Sequence, residues 1–244
     1  MIGTVGQNLA ARSLFFMESV AQRFVHDDRG RLVPGAGAHA ATVPRFYLGR
    51  APGLTFWRFS ATLDSERVTQ LARLAALERP LPGEFMKRIE MPPPPERLPA
   101  LSARLGRGEA APLRFRGPLL AFESVTPESS LPGKAQIHPL GSSFEEKPAA
   151  EPGSPGVVLQ VAGQVVATCR SRRHWPGWGA ECVAETAETE RGRGYGQAVL
   201  RAWCETIRRR GEVPLARPEW SDRGALGLAR SVGASCVGEG FEFD

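Results

Sequence analysis

The chain has 244 residues, 42% hydrophobic and 23% charged, an ordinary balance for a globular protein of one large domain or two modest ones. Its 31 Lys and Arg against 26 Asp and Glu leave a net +5, a mild excess that suits an anionic small ligand, an acidic partner or nucleic acid and selects none of them. No apolar run approaches the roughly 18 residues that cross a bilayer, and no basic segment leads into an apolar one at the N-terminus, so no membrane association and a cytoplasmic location are expected.

A helical pattern comes first, with Leu9, Phe16, Val20 and Phe24 spaced along one face and the turn "HDDRGR" ending it. "LTFWRFSATL" (54–63) reads as a strand, aromatic-rich and partly alternating. Asp64 or Ser65 can cap a helix carrying Val68, Leu71, Leu74 and Leu77, which Pro80 stops. "MPPPPERLP" must run extended, and a short helix over 98–105 and a strand over 119–122 complete the first half. From Thr126 to Gly156 proline, glycine, serine and charge dominate, which marks a linker or a loose lead-in.

The second half is clearer. "VVLQV" (157–161), "VVATCRSRRH" (165–174) and "AECVAET" (180–186) are strands joined by the tight turns "AGQ" and "WPGWG", an antiparallel meander. A glycine loop follows, then a helix with Val199, Trp203 and Ile207 on one face and Leu200 and Cys204 beside them. Arg208 to Arg210 close it where the helix dipole favours cations, and Gly211 stops it. "VPLA" (213–216) is a short strand, Ser221 or Asp222 caps a last helix that Gly233 closes, and "SCVGEGFEF" is a final strand. The cysteines, Cys169, Cys182, Cys204 and Cys236, include no C-x-x-C pair, and His26, His39, His138 and His174 are scattered. Buried thiols and no metal are therefore expected.

"RGRGYG" (191–196) sits between a strand and a helix. There, successive backbone N–H groups surround a small concavity at the positive end of the helix, and glycine lets a ligand approach the backbone. Arg191 and Arg193 add charge at the rim, and a pyrophosphate suits the nest. The dinucleotide fingerprint G-x-G-x-x-G is not matched, the strands before it form a meander, and no G-K-[ST] is present, so neither nucleotide motif applies.

This loop resembles the R/Q-x-x-G-x-G/A signature of the GCN-type N-acetyltransferase (GNAT) superfamily. The order from Val157 onward (meander, loop, helix, strand, helix, strand) and "PEWSDRGALGLARSVGA" resemble the second half of that fold. "HDDRGRL", "VPRFYLGR", "FWRF" and "ERP" resemble the N-terminal region of a bacterial GNAT subgroup, in which a divergent or accessory half precedes the active one. The resemblance implies an α+β (mixed αβ) protein. Residues 1–125 would be a divergent N-terminal αβ domain, 126–156 a linker or lead-in, and 157–244 an acyl-CoA N-acyltransferase core.

It further implies acetyl-CoA as co-substrate and an amine as acceptor. The pantetheine arm would pair with Ala184, Glu185 and Thr186, and the pyrophosphate would sit on Arg191, Gly192, Arg193, Gly194, Tyr195, Gly196 and Gln197, with Asp222 at the position usually held by Asn. Glu181 and Glu185 lie on the strand where the family often places its carboxylate base, and a partly buried glutamate has its pKa raised toward useful values. Ala229 stands where a tyrosine commonly serves as general acid. That departure leaves a CoA-binding or scaffolding protein as the alternative. Trp175, Trp178 and Trp220 would line an acceptor pocket or pack in turns and core. A basic nucleic-acid-binding protein is the third reading, disfavoured because aromatic residues do not interleave with the arginine clusters. Nothing in the sequence forbids a homo-oligomer.

Overall fold

The computed structural model describes residues 9–35, 43–106, 109–124, 135–140 and 154–244, the side chains of Leu9, Met86 and Lys87 excepted. In chain order the elements are α1 (Leu9–Arg23), β1 (Val25–His26), β2 (Leu32–Val33), β3 (Phe46–Ala51), β4 (Leu54–Phe59), α2 (Ser65–Ala75), α3 (Glu84–Arg88), α4 (Leu98–Leu105) and β5 (Leu113–Ala121). Then come β6 (Ala135–Pro139), β7 (Gly156–Val161), β8 (Gln164–Trp175), β9 (Gly179–Thr186), α5 (Tyr195–Arg209), β10 (Val213–Ala216), α6 (Arg223–Val232) and β11 (Ser235–Phe243). Helices and a mixed sheet give the expected α+β class.

Two compact units divide the chain. The first takes residues up to 119 together with 218–221 and 236–244, and the second takes 120–217 and 222–235. The sequence reading had run the second half from 157 to the end. In the structure the last strand joins the first unit because β11 pairs antiparallel with β3, Phe243 opposite Phe46 and Phe241 opposite Leu48. Phe241 and Phe243 then share a core with Phe46, Leu48, Leu71, Leu101 and Leu105.

Within the first unit β4 pairs with β3 in an antiparallel hairpin. Phe16 of α1 meets Phe56 edge to face at 5.3 Å, so the apolar stripe of α1 covers one side of the hairpin. Asp64 caps α2, its Oδ1 accepting from Arg67 N at 2.7 Å, and Leu71 and Ala75 are fully buried. Asp64→Ala should therefore cost about 1 kcal/mol, measurable as a shift in the urea midpoint. Leu77 falls beyond the helix and is exposed. α4 has its expected limits, whereas β3 and α3 were not foreseen as elements.

In the second unit the strand order is β10–β9–β8–β7–β6, with Leu120 and Ala121 at the end of β5 paired to β10. The expected linker holds a real strand, since β6 pairs with β7 from Val157 to Val161. Residues 126–134 and 141–153 lie outside the described residues, as does His39. α5 buries Val199, Leu200, Trp203, Cys204 and Ile207. Trp203 Nε1 donates to the Pro155 carbonyl at 3.2 Å and lies 3.3 Å from Ser171 Oγ, so its one polar atom is satisfied. Cys169, Cys204 and Cys236 are buried free thiols, and burial pushes all three pKa values up.

Candidate functional site

The second unit builds a cleft from one local fact: β9 and β10 run together briefly and then part. Their parallel pairing covers Val213 with Gly179, Pro214 with Ala180, and Leu215 with Glu181, and then ends. A Cβ on Gly179 would stand 2.7 Å from the Val213 carbonyl oxygen, so glycine permits this close start. β9 continues five residues further, from Cys182 to Thr186, still paired with β8 on its other side.

Backbone alternation assigns the groups that face the gap. The Trp178 carbonyl accepts from Val213 N on the β10 side, and Ala187 N donates to Val166 O on the β8 side. In a strand successive residues point their amides and carbonyls to opposite neighbours. Cys182, Ala184 and Thr186 therefore present their main-chain groups to the gap, and Glu185 presents its own to β8. The sequence reading grouped Ala184, Glu185 and Thr186 as one backbone edge. Register removes Glu185 from it and adds Cys182.

A single 3₁₀ turn, Glu188–Glu190, then leads into the glycine loop. Gly192 and Gly194 have φ of +80° and +82°, in the left-handed region, and a Cβ on either would meet nothing within 4 Å. Gly194 is the N-cap of α5, and no side chain caps that end. Among the described residues no acceptor serves the amides of 192–197, so the loop faces outward with its donors free. Gly196 lies close to the strand end, its Cβ position 3.0 Å from Thr186 Oγ1, which fixes the loop at the mouth of the gap. Arg193 Nη1 is 3.3 Å from Glu190 Oε2, and Tyr195 is buried at the first turn of α5.

The two candidate carboxylates differ sharply. Glu181 is 3% exposed and stands opposite Leu215, where the strands part. Glu185 is 60% exposed, 3.9 Å from Arg170 Nη2, and sits at the open end. Four strand residues separate them by roughly 13 Å, so they cannot serve one reacting atom together. Asp222 Oδ1 accepts from Ala225 N at 2.9 Å and caps α6. Ala229 is buried, and the tyrosines of the chain are Tyr47 and Tyr195, both buried.

Other candidates turn out to be structural. His174 Nε2 lies 2.9 Å from Glu212 Oε2, while Glu212 Oε1 accepts from Gly177 N, so the pair holds the β8–β9 turn. Trp175 and Trp178 pack edge to face in the same turn, and Trp220 is buried and donates to Glu239. Arg208, expected only as helix-end charge, donates to the Phe122 carbonyl. Among the described residues no group of three or more His, Cys, Asp or Glu could hold a metal, and no helix is long and apolar enough to cross a membrane.

No family model matches the sequence. A search of curated proteins returns no match either. Solved structures do. A GCN5-related N-acetyltransferase from Kribbella flavida is similar at 18% identity and a TM-score of 0.45, over 59% of this chain and 63% of that one. A GCN5-related N-acetyltransferase-like protein from Streptococcus suis is also 18% identical, TM-score 0.44, over 59% and 68%. A protein from Salmonella typhimurium, named as an acetyltransferase and solved with its cofactor acetyl-CoA, is 19% identical, TM-score 0.31, over 38% and 66%.

The Kribbella and Streptococcus proteins both carry the GCN5-related N-acetyltransferase name.

The chain covers less than two thirds of the Kribbella and Salmonella proteins. The order expected from the sequence (meander, loop, helix, strand, helix) is present in the second unit from β7 to α6.

Proposed function

We propose that this chain is a GNAT acetyltransferase that moves an acetyl group from acetyl-CoA to a primary amine. The observation that carries the proposal is the pairing of parted strands with an uncapped, outward-facing amide loop at their mouth. A pyrophosphate on the loop would meet donors from Gly192 to Gln197, with Arg191 and Arg193 at the rim. A pantetheine arm running into the gap would find the carbonyl of Cys182 and the amides and carbonyls of Ala184 and Thr186, which suit its own amide groups. Acetyl-CoA supplies an acyl carbon already activated as a thioester. This chain has to bind it, shield it and accept the proton that the attacking ammonium loses.

Glu181 is assigned as the base. It sits where the strands part, the end of the gap far from the pyrophosphate loop, and its burial keeps water from competing. Glu185 is assigned to the surface. With no tyrosine on α6, the leaving thiolate takes its proton from solvent.

Incubation with labelled acetyl-CoA and a panel of primary amines should transfer label. Glu181→Gln should lower kcat at least 100-fold and remove the ascending limb of the pH profile, an effect in the usual range of about 10²–10⁴ for a general base. CoA should raise the melting temperature of parent and variant alike. Stabilisation by CoA without transfer to any amine would instead favour a CoA-binding protein, the reading that Ala229 supports. Neither stabilisation nor transfer would overturn both.

A further inference from the structure

The first unit contains a second basic site, lined by none of the residues assigned to acetyl transfer. A cavity of about 520 Å³ lies at the outer edge of β4, lined chiefly by His26, Arg29, Arg31, Trp57, Arg58 and Phe59. That volume falls within the roughly 300–1,000 Å³ of small-molecule sites. No Asp or Glu is among its lining residues.

The cavity is built by local structure. β1 and β2 form a short hairpin whose turn carries Arg29 and Arg31. Asp27 shapes this turn: its Oδ1 accepts from Arg29 N at 2.9 Å and from Arg31 N at 2.8 Å. The hairpin is moored to the end of β4, because Ala61 N donates to the Leu32 carbonyl and Arg31 Nη1 donates to the Leu63 carbonyl at 2.8 Å. The turn arginines are thereby held beside Trp57, Arg58 and Phe59.

Among the described residues Arg29, Arg31 and Arg58 form no ion pair, whereas Arg23, Arg50 and Arg116 of the same unit each face a carboxylate, and Asp27 in the turn spends its Oδ1 on main-chain amides. Arg58 Nη1 donates to the Trp57 carbonyl at 2.9 Å, and its guanidinium lies 5.7 Å from the Phe56 ring. His26 Nε2 is buried and has no hydrogen-bond partner among the described residues. Burial, and next the Arg58 charge, lower the His26 pKa from its ordinary 6.5. Trp57 and Phe59 point to one face of β4 and pack against the core as an apolar wall, while Arg58 points to the other face beside Phe56, so the cavity wraps the free edge of the strand.

We propose that this cavity binds a small planar molecule bearing a phosphate. Three guanidiniums match a dianion, the His26 ring offers one further hydrogen-bonding nitrogen, and guanidinium geometry suits phosphate oxygens in pairs. The aromatic wall supplies area for a planar group. This site stands independently of the acetyltransferase reading.

Phenyl phosphate, inorganic phosphate and phenol are the probes, titrated by calorimetry into the full chain. Phenyl phosphate should bind at least tenfold more tightly than either fragment. Arg58→Gln should weaken it at least tenfold, and Trp57→Leu should reduce the advantage over inorganic phosphate. An unchanged near-ultraviolet circular dichroism spectrum and a cooperative melting curve would show that each variant is folded. The Gly194→Val protein should bind phenyl phosphate as the parent does. Loss of binding in that protein would place the ligand at the α5 loop and overturn the proposal. So would equal binding of phenyl and inorganic phosphate, indifference to Arg58→Gln in folded protein, or no binding at millimolar concentration.

Discussion

Glu239→Ala is expected to unfold the first unit, or bring it to the edge of unfolding, at ordinary temperature. Glu239 is fully buried, and both of its oxygens are engaged. Oε2 accepts from Arg50 Nη2 at 2.6 Å, and Oε1 accepts from Arg116 Nε at 3.0 Å and from Trp220 Nε1 at 2.8 Å. Both guanidiniums lie over the Phe241 ring, 5.6 and 5.4 Å from its centroid. Truncating the carboxylate leaves two cations and an indole N–H without their acceptor in a closed core. Breaking a buried ion pair on one side costs about 3–5 kcal/mol, against a total of about 5–15 kcal/mol for a whole domain.

The arginines also hold the proline run. Arg50 Nη2 donates to the Pro93 carbonyl at 2.8 Å and Arg116 Nη2 to the Pro92 carbonyl at 2.7 Å. Glu78, 3.8 Å from Arg50 Nη1, accepts from the amides of Glu96 and Arg97. Glu239→Gln keeps an acceptor for Trp220 but removes the charge, so its urea midpoint should fall between those of parent and alanine variant. A loss below about 1 kcal/mol for the alanine variant, the size of a single neutral hydrogen bond, would refute this account of the cluster.

Gly194→Val should abolish the rise in melting temperature that CoA produces, with affinity reduced at least 100-fold, about 2.7 kcal/mol. The backbone there has φ +82°, where an L residue is strained by roughly 1–2 kcal/mol and a β-branched one more. Relief of that strain turns the amides of the loop away from a shared centre, and the new side chain occupies the open space above it. The unliganded protein should lose only a few degrees, because nothing packs on the position. Calorimetric titration of CoA decides it. Undiminished binding would mean that the loop is not the pyrophosphate seat.

Much of this was legible in the residues. Glycines at alternate positions before an amphipathic run marked the loop, whose φ values at 192 and 194 are left-handed, and of the two cap candidates offered for each helix the structure uses Asp64 and Asp222. Patterns of this kind are local, so sequence carries them. β3 was missed because all six of its residues are buried, which erases the alternation that marks a half-buried strand. β6 was hidden in a stretch rich in proline, glycine and serine. The contrast between Glu181 and Glu185 depends on where β10 stops pairing, and the Arg50–Glu239 contact joins residues 189 apart in sequence. Partners that distant leave no periodic trace.

The position of β11 has a consequence for how the protein is made. Residues 236–244 complete the sheet edge beside β3 and deliver the anion that neutralises Arg50 and Arg116. Until residues 236–244 have been made, β3 lacks its partner on that side and Arg50 and Arg116 lack the Glu239 carboxylate. The core of the first unit can close only after synthesis has passed Glu239, so the half translated first is the half that matures late.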